Sequence, residues 1–389
     1  MKAVLSNLAH PEYGVATIPF PIPKTEYDHC IFILNALEIG NQLTADCKVE
    51  EISADSPILQ RLVGSTINVD ELDYLIKRME SFDKRELAQF SAVAISQDIH
   101  QIKDLINLTF CCQDVPIVQD FTDLEKVGRF YHMDRNGGVL ISEAENLDFK
   151  KEALKLLLNE DGKVTRYGVI YDNGFQLEQL YDGRHFPQYR YDDCVMEVEV
   201  CTANAPTPTF LCLPVSELQL ERAMLRGECH TTENMQFRFL DSKLPEEADA
   251  VINFEQTSIT ELNDLCQTVS AFSEADLTKL GAVVAFAKPS ATVELWHLAE
   301  QLDLFDFVPG ISTPKEYGKH MICESGHFEY DENLEGYYDF EKYGKERIEQ
   351  EVGSFNHCGY VSYEGFASIE EVLAGVPSAR MEQSMGGMS

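Results

Sequence analysis

Ten carboxylates and three bases lie within ESGHFEYDENLEGYYDFEKYGKERIEQE, Glu324 to Glu351. Aromatic residues alternate among them: Phe328, Tyr330, Tyr337, Tyr338, Phe340 and Tyr343. An ionised carboxylate accepts charge-assisted hydrogen bonds from Arg and Lys, which are stronger than neutral ones. The chemistry on offer is therefore multipoint ionic recognition of a basic partner. The aromatics can anchor the segment to a core while the carboxylates remain outside. The candidate partner-binding acids here are Asp339, Glu341, Glu346, Glu349 and Glu351, then Asp331, Glu332 and Glu335. In the first half they are Glu143, Glu145, Asp148 and Glu152. The plain alternative for any one such run is an ordinary solvated face.

Catalytic signatures are missing from the sequence. It has no Gly-rich phosphate loop, G-x-S-x-G elbow or H-E-x-x-H. His230 follows Cys229 and His357 precedes Cys358, but neither pair has two further ligands nearby in sequence, and a zinc site wants four at recognisable spacing. No metal, cofactor or enzymatic activity is expected. Asp134-x-Asn136-Gly137-Gly138 reads as a turn rather than a calcium loop, since it lacks the acidic alternation and the closing Glu. Carboxylate pairs such as Asp192-Asp193 and Asp331-Glu332 follow from composition. A hydrolase built on such a pair stays open as an alternative, with nothing to single one out.

The charge extends well beyond one segment. The chain of 389 residues has 66 Asp+Glu against 31 Lys+Arg, a net −35 with His neutral. Residues 1–200 contribute −15 and residues 201–389 contribute −20, so no single tail carries the excess. Such a charge repels nucleic acid and anionic membranes. Apolar residues make up 44%, enough for real cores, so this is not a disordered acidic tail. Eleven scattered Cys without C-x-x-C read as reduced, mostly buried thiols. The opening MKAVLSNLAH has too short an apolar run for a signal peptide, and a cytoplasmic protein of the host bacterium is expected.

The elements that must position these acids occur twice. ELDYLIKRMESFDKRELAQFSAVA, Glu71 to Ala94, returns 190 positions later as ELNDLCQTVSAFSEADLTKLGAVV, Glu261 to Val284, with seven of 24 positions identical. The offset continues through Gly128/Gly318, slips by one, and holds at Phe149/Phe340, Gly168/Gly359 and Gly174/Gly365. The expected class is α+β: an elongated, multi-lobed chain of two repeats. Each repeat has a small antiparallel β lobe, a short helical bundle and an α+β lobe. The first repeat covers 1–200, with lobes near 1–65, 66–115 and 116–200. A Pro-rich linker follows at 201–209. The second repeat covers 210–376, with lobes near 210–256, 257–304 and 305–376, and 377–389 is a flexible tail.

Within each repeat the signals run in the same order. Ala16–Ile22 and Cys30–Leu37 read as strands from their β-branched and aromatic residues, as do Thr209–Val215 and Met235–Leu240. Asn68-x-x-Glu71, Ser258-x-x-Glu261, Asp83-x-x-Glu86 and Ser273-x-x-Asp276 read as capping boxes. They predict helices that bury Leu72, Leu75, Ile76 and Met79, then Leu87, Phe90 and Ala94. Third helices fall near His100–Leu108 and Ser290–Leu302. Tyr167–Tyr171 and Tyr360–Tyr363 read as strands next to tight turns.

Duplex DNA carries one charge per about 1.7 Å, so thirty-five charges match roughly 60 Å of duplex. At this point the residues resemble a known family, the ArdA antirestriction proteins. The resemblance rests on Ile259-Thr260-Glu261-Leu262-Asn263, Tyr317-Gly318-Lys319, Tyr338-Asp339-Phe340-Glu341-Lys342-Tyr343-Gly344 and the Gly359-Tyr360 strand. In the first half it rests on Val69-Asp70-Glu71-Leu72-Asp73, Val127-Gly128-Arg129 and Asp148-Phe149. The first half departs from the pattern: it lacks the Tyr-Gly, and a helix through Leu154–Leu158 runs on instead. The resemblance implies a protein from a mobile genetic element that mimics DNA and blocks type I restriction–modification enzymes. Its partner would be the methyltransferase/specificity complex, with no direct binding of nucleic acid or membrane. Family protomers dimerise, so the tandem chain is expected either as a monomeric pseudo-dimer or as a homodimer. Two other readings remain: an acidic module or chaperone for a basic protein, and an inhibitor of another nuclease defence such as a CRISPR effector.

Overall fold

A computed structural model describes residues 1–136, 147–172, 174–191, 193–202, 205–229, 235–326 and 328–380. The architecture is mixed α and β, with small antiparallel sheets and many short helices. The chain divides into two compact units. The first is Met1–Tyr189 with Thr207–Thr209 and Ser216–His230; the second is Arg190–Pro206, Phe210–Val215 and Thr231–Ser389.

The first unit opens with β1 (Lys2–Asn7), β2 (Val15–Pro19), α1 (Tyr27–Ala36), β3 (Cys47–Ile52), α2 (Pro57–Gln60) and β4 (Thr66–Ile67), forming a sheet of order β2-β1-β3-β4. Ala3, Leu5, Ile18 and Val49 fill its buried side. Cys30–Leu37, expected as a strand, lies mostly within α1. Its buried residues, Tyr27, Cys30, Ile31 and Leu34, recur at i, i+3, i+4 and i+7, and this helical period overrides the β-branched composition.

Three helices follow: α3 (Val69–Glu80), α4 (Lys84–Ser96) and α5 (Ile102–Leu108). Asp83 and Glu86 form a complete capping box at the start of α4. Asn68 caps α3 alone, accepting from the backbone N–H of Asp70 and Glu71. Glu71 does not complete that box. Its buried carboxylate accepts the Tyr181 hydroxyl at 2.8 Å instead. Leu87, expected inward, is 40% exposed, whereas Phe90 and Ala94 are buried.

The unit closes with β5 (Ile117–Val118), α6 (Leu124–Asn136), α7 (Phe149–Asn159), β6 (Lys163–Thr165) and β7 (Gly168–Ile170), in sheet order β5-β7-β6. Val118, Val127, Tyr131, Ala153, Leu156 and Tyr171 form its core. Gly128 lets α6 approach α7: a Cβ there would sit 1.7 Å from the Phe149 carbonyl oxygen.

Helix α8 (Glu217–Arg226) also belongs to this unit. Buried Arg222 donates to Asp70 Oδ2 at 2.8 Å and 3.2 Å and to the Gly40 carbonyl at 2.8 Å. The Tyr27 hydroxyl donates to the other Asp70 oxygen at 2.8 Å. Arg226 donates to Asn68 Oδ1 at 2.6 Å and lies over the Phe186 ring.

Next in the chain after β7 come β8 (Met196–Thr202), β9 (Ala205–Leu213) and β10 (Met235–Ser242) in order β10-β8-β9, all in the second unit except Thr207–Thr209, then the short α9 (Glu246–Asp249). The segment expected to be a linker, 201–209, thus falls largely within β8 and β9. Pro206 and Pro208 fit because β9 is an edge strand, where a missing N–H breaks no ladder.

Helices α10 (Ile259–Val269), α11 (Glu274–Ala287) and α12 (Thr292–Glu300) come next, the first two with complete capping boxes from Ser258 and Ser273. Trp296 lies half-buried on α12 and donates to Thr268. Last come β11 (Phe305–Pro309), α13 (Pro314–Cys323), α14 (Phe340–Ile348), β12 (Val352–Phe355), β13 (Gly359–Tyr363) and α15 (Ile369–Leu373), with sheet order β11-β13-β12. Ile311, Tyr317 and Tyr360 form the small core beneath α13 and α14. Seven of the eleven cysteines are buried. Among the described residues no helix is long and apolar enough to cross a membrane.

Candidate partner-binding surface

The acidic segment is held by backbone contact between α13 and α14. A Cβ at Gly318 would meet the Phe340 carbonyl oxygen at 2.0 Å, and one at Gly344 would meet the Pro314 carbonyl oxygen at 1.8 Å. The two helices therefore touch main chain to main chain. Thr313 and Glu316 box the start of α13, and Asp339 caps α14 by accepting from the Lys342 N–H at 3.0 Å. Between the helices, a 3-10 turn at Glu332–Tyr337 begins at Asp331, whose side chain accepts from the Asn333 N–H at 2.9 Å.

The aromatics divide between anchoring and exposure. Phe340 is buried, and Tyr338 and Tyr343 are half-buried. Tyr330 packs near Tyr338 at 5.7 Å between ring centroids, and Tyr338 near Phe340 at 5.9 Å. Tyr337 anchors nothing: it is 87% exposed, at the tip of the turn.

Seven of the predicted acids face solvent here: Asp331, Glu332, Glu335, Asp339, Glu341, Glu346 and Glu349. Their charge is not equally available. Lys345 pairs with Glu341 at 2.6 Å, Lys342 with Glu346 at 3.9 Å and Lys319 with Glu335 at 3.0 Å. The hydrogen bonds they donate to Glu335 and Glu341 raise the Lys319 and Lys345 ammonium groups above the usual lysine value. Exposed pairs of this kind are weak, so a stronger partner can displace them. Glu332 and Glu349 make no ion pair among the described residues.

Glu351 differs from its neighbours. Its side chain is 14% exposed and accepts the Tyr317 hydroxyl at 2.8 Å and the Tyr360 hydroxyl at 3.1 Å, while Arg347 pairs with it at 2.6 Å. Burial, then the adjacent Glu351 charge, pushes both phenols far above their ordinary value, so they remain proton donors. Glu351 is thus tied into the small core, unlike its solvated neighbours.

In the first unit, Asp148 is exposed and caps α7 through the Lys151 N–H at 3.1 Å. Glu152 is half-buried and pairs with Lys155 at 2.5 Å. Glu143 and Glu145 lie outside the described residues. Where α14 has Gly344, α7 has the fully buried Ala153, whose backbone N lies 2.8 Å from the Cβ position at Gly128.

The surface can therefore accept hydrogen bonds from several cations at once, chiefly along residues 324–339, which contain six Asp or Glu and no Lys or Arg. No protein-family model matches the chain, and no curated protein matches it.

Proposed function

We propose that this protein is an ArdA-type antirestriction protein, a DNA mimic that occupies the DNA-binding groove of a type I restriction–modification enzyme. The reading is supported above all by the run 324–339, which carries six carboxylates without interleaved bases on the segment that joins the closely apposed helices α13 and α14. The net −35 spread over both halves supports it further. Carboxylates stand in for phosphates and accept bonds from the Arg and Lys of the groove. Binding falls with added salt for the same reason that DNA binding does.

Plating of unmodified phage on a restricting host is the direct test: expression of the protein should raise plating efficiency. In vitro, it should displace duplex DNA from the methyltransferase/specificity complex at moderate salt. The combined variant D331N/E332Q/E335Q/E349Q should weaken that competition about tenfold, since small contributions from four exposed charges add up. E332Q alone should be nearly silent. Binding to a basic protein without displacement of DNA would instead favour an acidic chaperone.

We further infer that the chain is two copies of one unit. The order β-β-α-β-α, three helices, then β-α-α-β-β occurs in both halves, with β4 added in the first, and the last strand is the central one in each three-stranded closing sheet. Gly128 faces the Phe149 carbonyl as Gly318 faces that of Phe340. One chain then replaces two protomers, and light scattering after size exclusion should give the mass of a single chain. A stable dimer of the full chain would count against this.

A further inference from the structure

The turn between β12 and β13 carries Asn356, His357 and Cys358. Asn356 fixes it. Its Oδ1 accepts the N–H of Cys358 at 2.9 Å and of Gly359 at 3.2 Å, and its Nδ2 donates to the Ala282 carbonyl on α11 at 2.8 Å. The two side chains that follow meet Glu247 of α9. Glu247 Oε1 lies 2.6 Å from His357 Nε2 and 3.8 Å from Cys358 Sγ, and Sγ lies 3.3 Å from the same Nε2. The three donor atoms all fall within 4.8 Å of one another. Gly281 leaves the carboxylate its room, since a Cβ there would stand 2.8 Å from Glu247 Oε2. Solvent reaches the cluster through His357, which is 67% exposed.

Two chemistries use a thiol, an imidazole and a carboxylate. In a nucleophilic triad the imidazole lies between its partners, one on each ring nitrogen. Here both partners address Nε2, so the atoms converge on a point rather than forming a relay. The thiol is also not activated: burial and the Glu247 charge push Cys358 above the usual cysteine value, the reverse of what a nucleophile needs.

Convergence suits a cation. Bonds of about 2.0–2.3 Å in a tetrahedral zinc site put ligand atoms roughly 3.3–3.7 Å apart, close to the two sulfur separations here. The 2.6 Å contact is a hydrogen bond that opens when a cation replaces the shared proton. A thiolate and an imidazole select zinc-class ions over calcium or magnesium. The turn between β6 and β7 in the other unit holds Arg166 and Tyr167, which supply no such ligands. We propose that Glu247, His357 and Cys358 form a three-ligand site for a zinc-class divalent cation, with water in the fourth position. Binding deprotonates Cys358 and releases that proton to solvent, while the proton between His357 Nε2 and Glu247 is displaced to Nδ1 of the ring or, from a protonated ring, to solvent.

The test uses the full reduced chain and Co²⁺ as a spectroscopic substitute for Zn²⁺. One equivalent should produce a thiolate-to-cobalt charge-transfer band with proton release, and Zn²⁺ should abolish the band. C358S should remove it. H357A and E247Q should each lower affinity by more than the 10–100-fold that loss of a supporting outer-shell group costs. Circular dichroism of each variant checks that the fold is kept. The proposal is overturned by no band, by a band that survives in C358S, or by unchanged affinity in E247Q.

Discussion

Replacing Arg222 with Ala should destabilise the first unit by about 3–5 kcal/mol, the usual cost of removing one partner from a buried ion pair. The side chains of Arg222 and Asp70 are only 3% and 12% exposed, so water cannot take over the lost bonds. Asp70 would keep the Tyr27 hydroxyl and the longer Arg226 ion pair at 3.7 Å but lose both Arg222 hydrogen bonds, and the Gly40 carbonyl would lose its donor. Urea denaturation followed by circular dichroism measures the loss. Arg222→Lys should rescue only part of it, because an ammonium cannot reproduce the fork that reaches Asp70 and Gly40 together. In the double variant with Asp70→Asn, the two losses should fall well short of additive, as expected for partners in one network. A loss below about 1 kcal/mol for Arg222→Ala would put this pair with exposed ones and refute its structural role.

The second large effect lies in the acidic lobe. Gly344→Ala introduces a methyl group whose position is 1.8 Å from the Pro314 carbonyl oxygen. Two terms oppose each other. Ala is a better helix former than Gly by about 1 kcal/mol. Overpacking costs about 1–3 kcal/mol and occasionally more. Here the obstacle is backbone, which cannot rotate away, so the clash lies at the upper end of that range and a net loss of about 2 kcal/mol is expected. Gly336→Ala is the control, since a Cβ there meets nothing within 4 Å. Thermal unfolding of the two variants decides the matter, and equal melting temperatures would show that α13 and α14 separate freely.

Much of the helical framework is legible because it depends on local chemistry. Ser258, Ser273 and Asp83 sit at helix starts for reasons contained within three residues. Other features depend on distant partners. Glu349 and Glu351 are alike in sequence, yet one is solvated and the other is enclosed by Tyr317 and Tyr360. Glu71 leaves its expected cap because Tyr181, 110 positions away, reaches it first. Glu247 is likewise 110 positions from His357, so no spacing rule joins it to the His-Cys pair. Composition misleads at Cys30–Leu37, where bulky β-branched residues lie on a helix, and at 201–209, where Pro-rich sequence lies in an edge strand. In both cases tertiary packing outweighs local preference.

Because Gly318 and Gly344 seat α14 through its main chain, the outward side chains of that helix contribute almost nothing to where it stands. Glu341, Glu346 and their lysine neighbours can be exchanged without moving the scaffold. The outward face of this helix could therefore change its charge pattern residue by residue and the lobe would still fold.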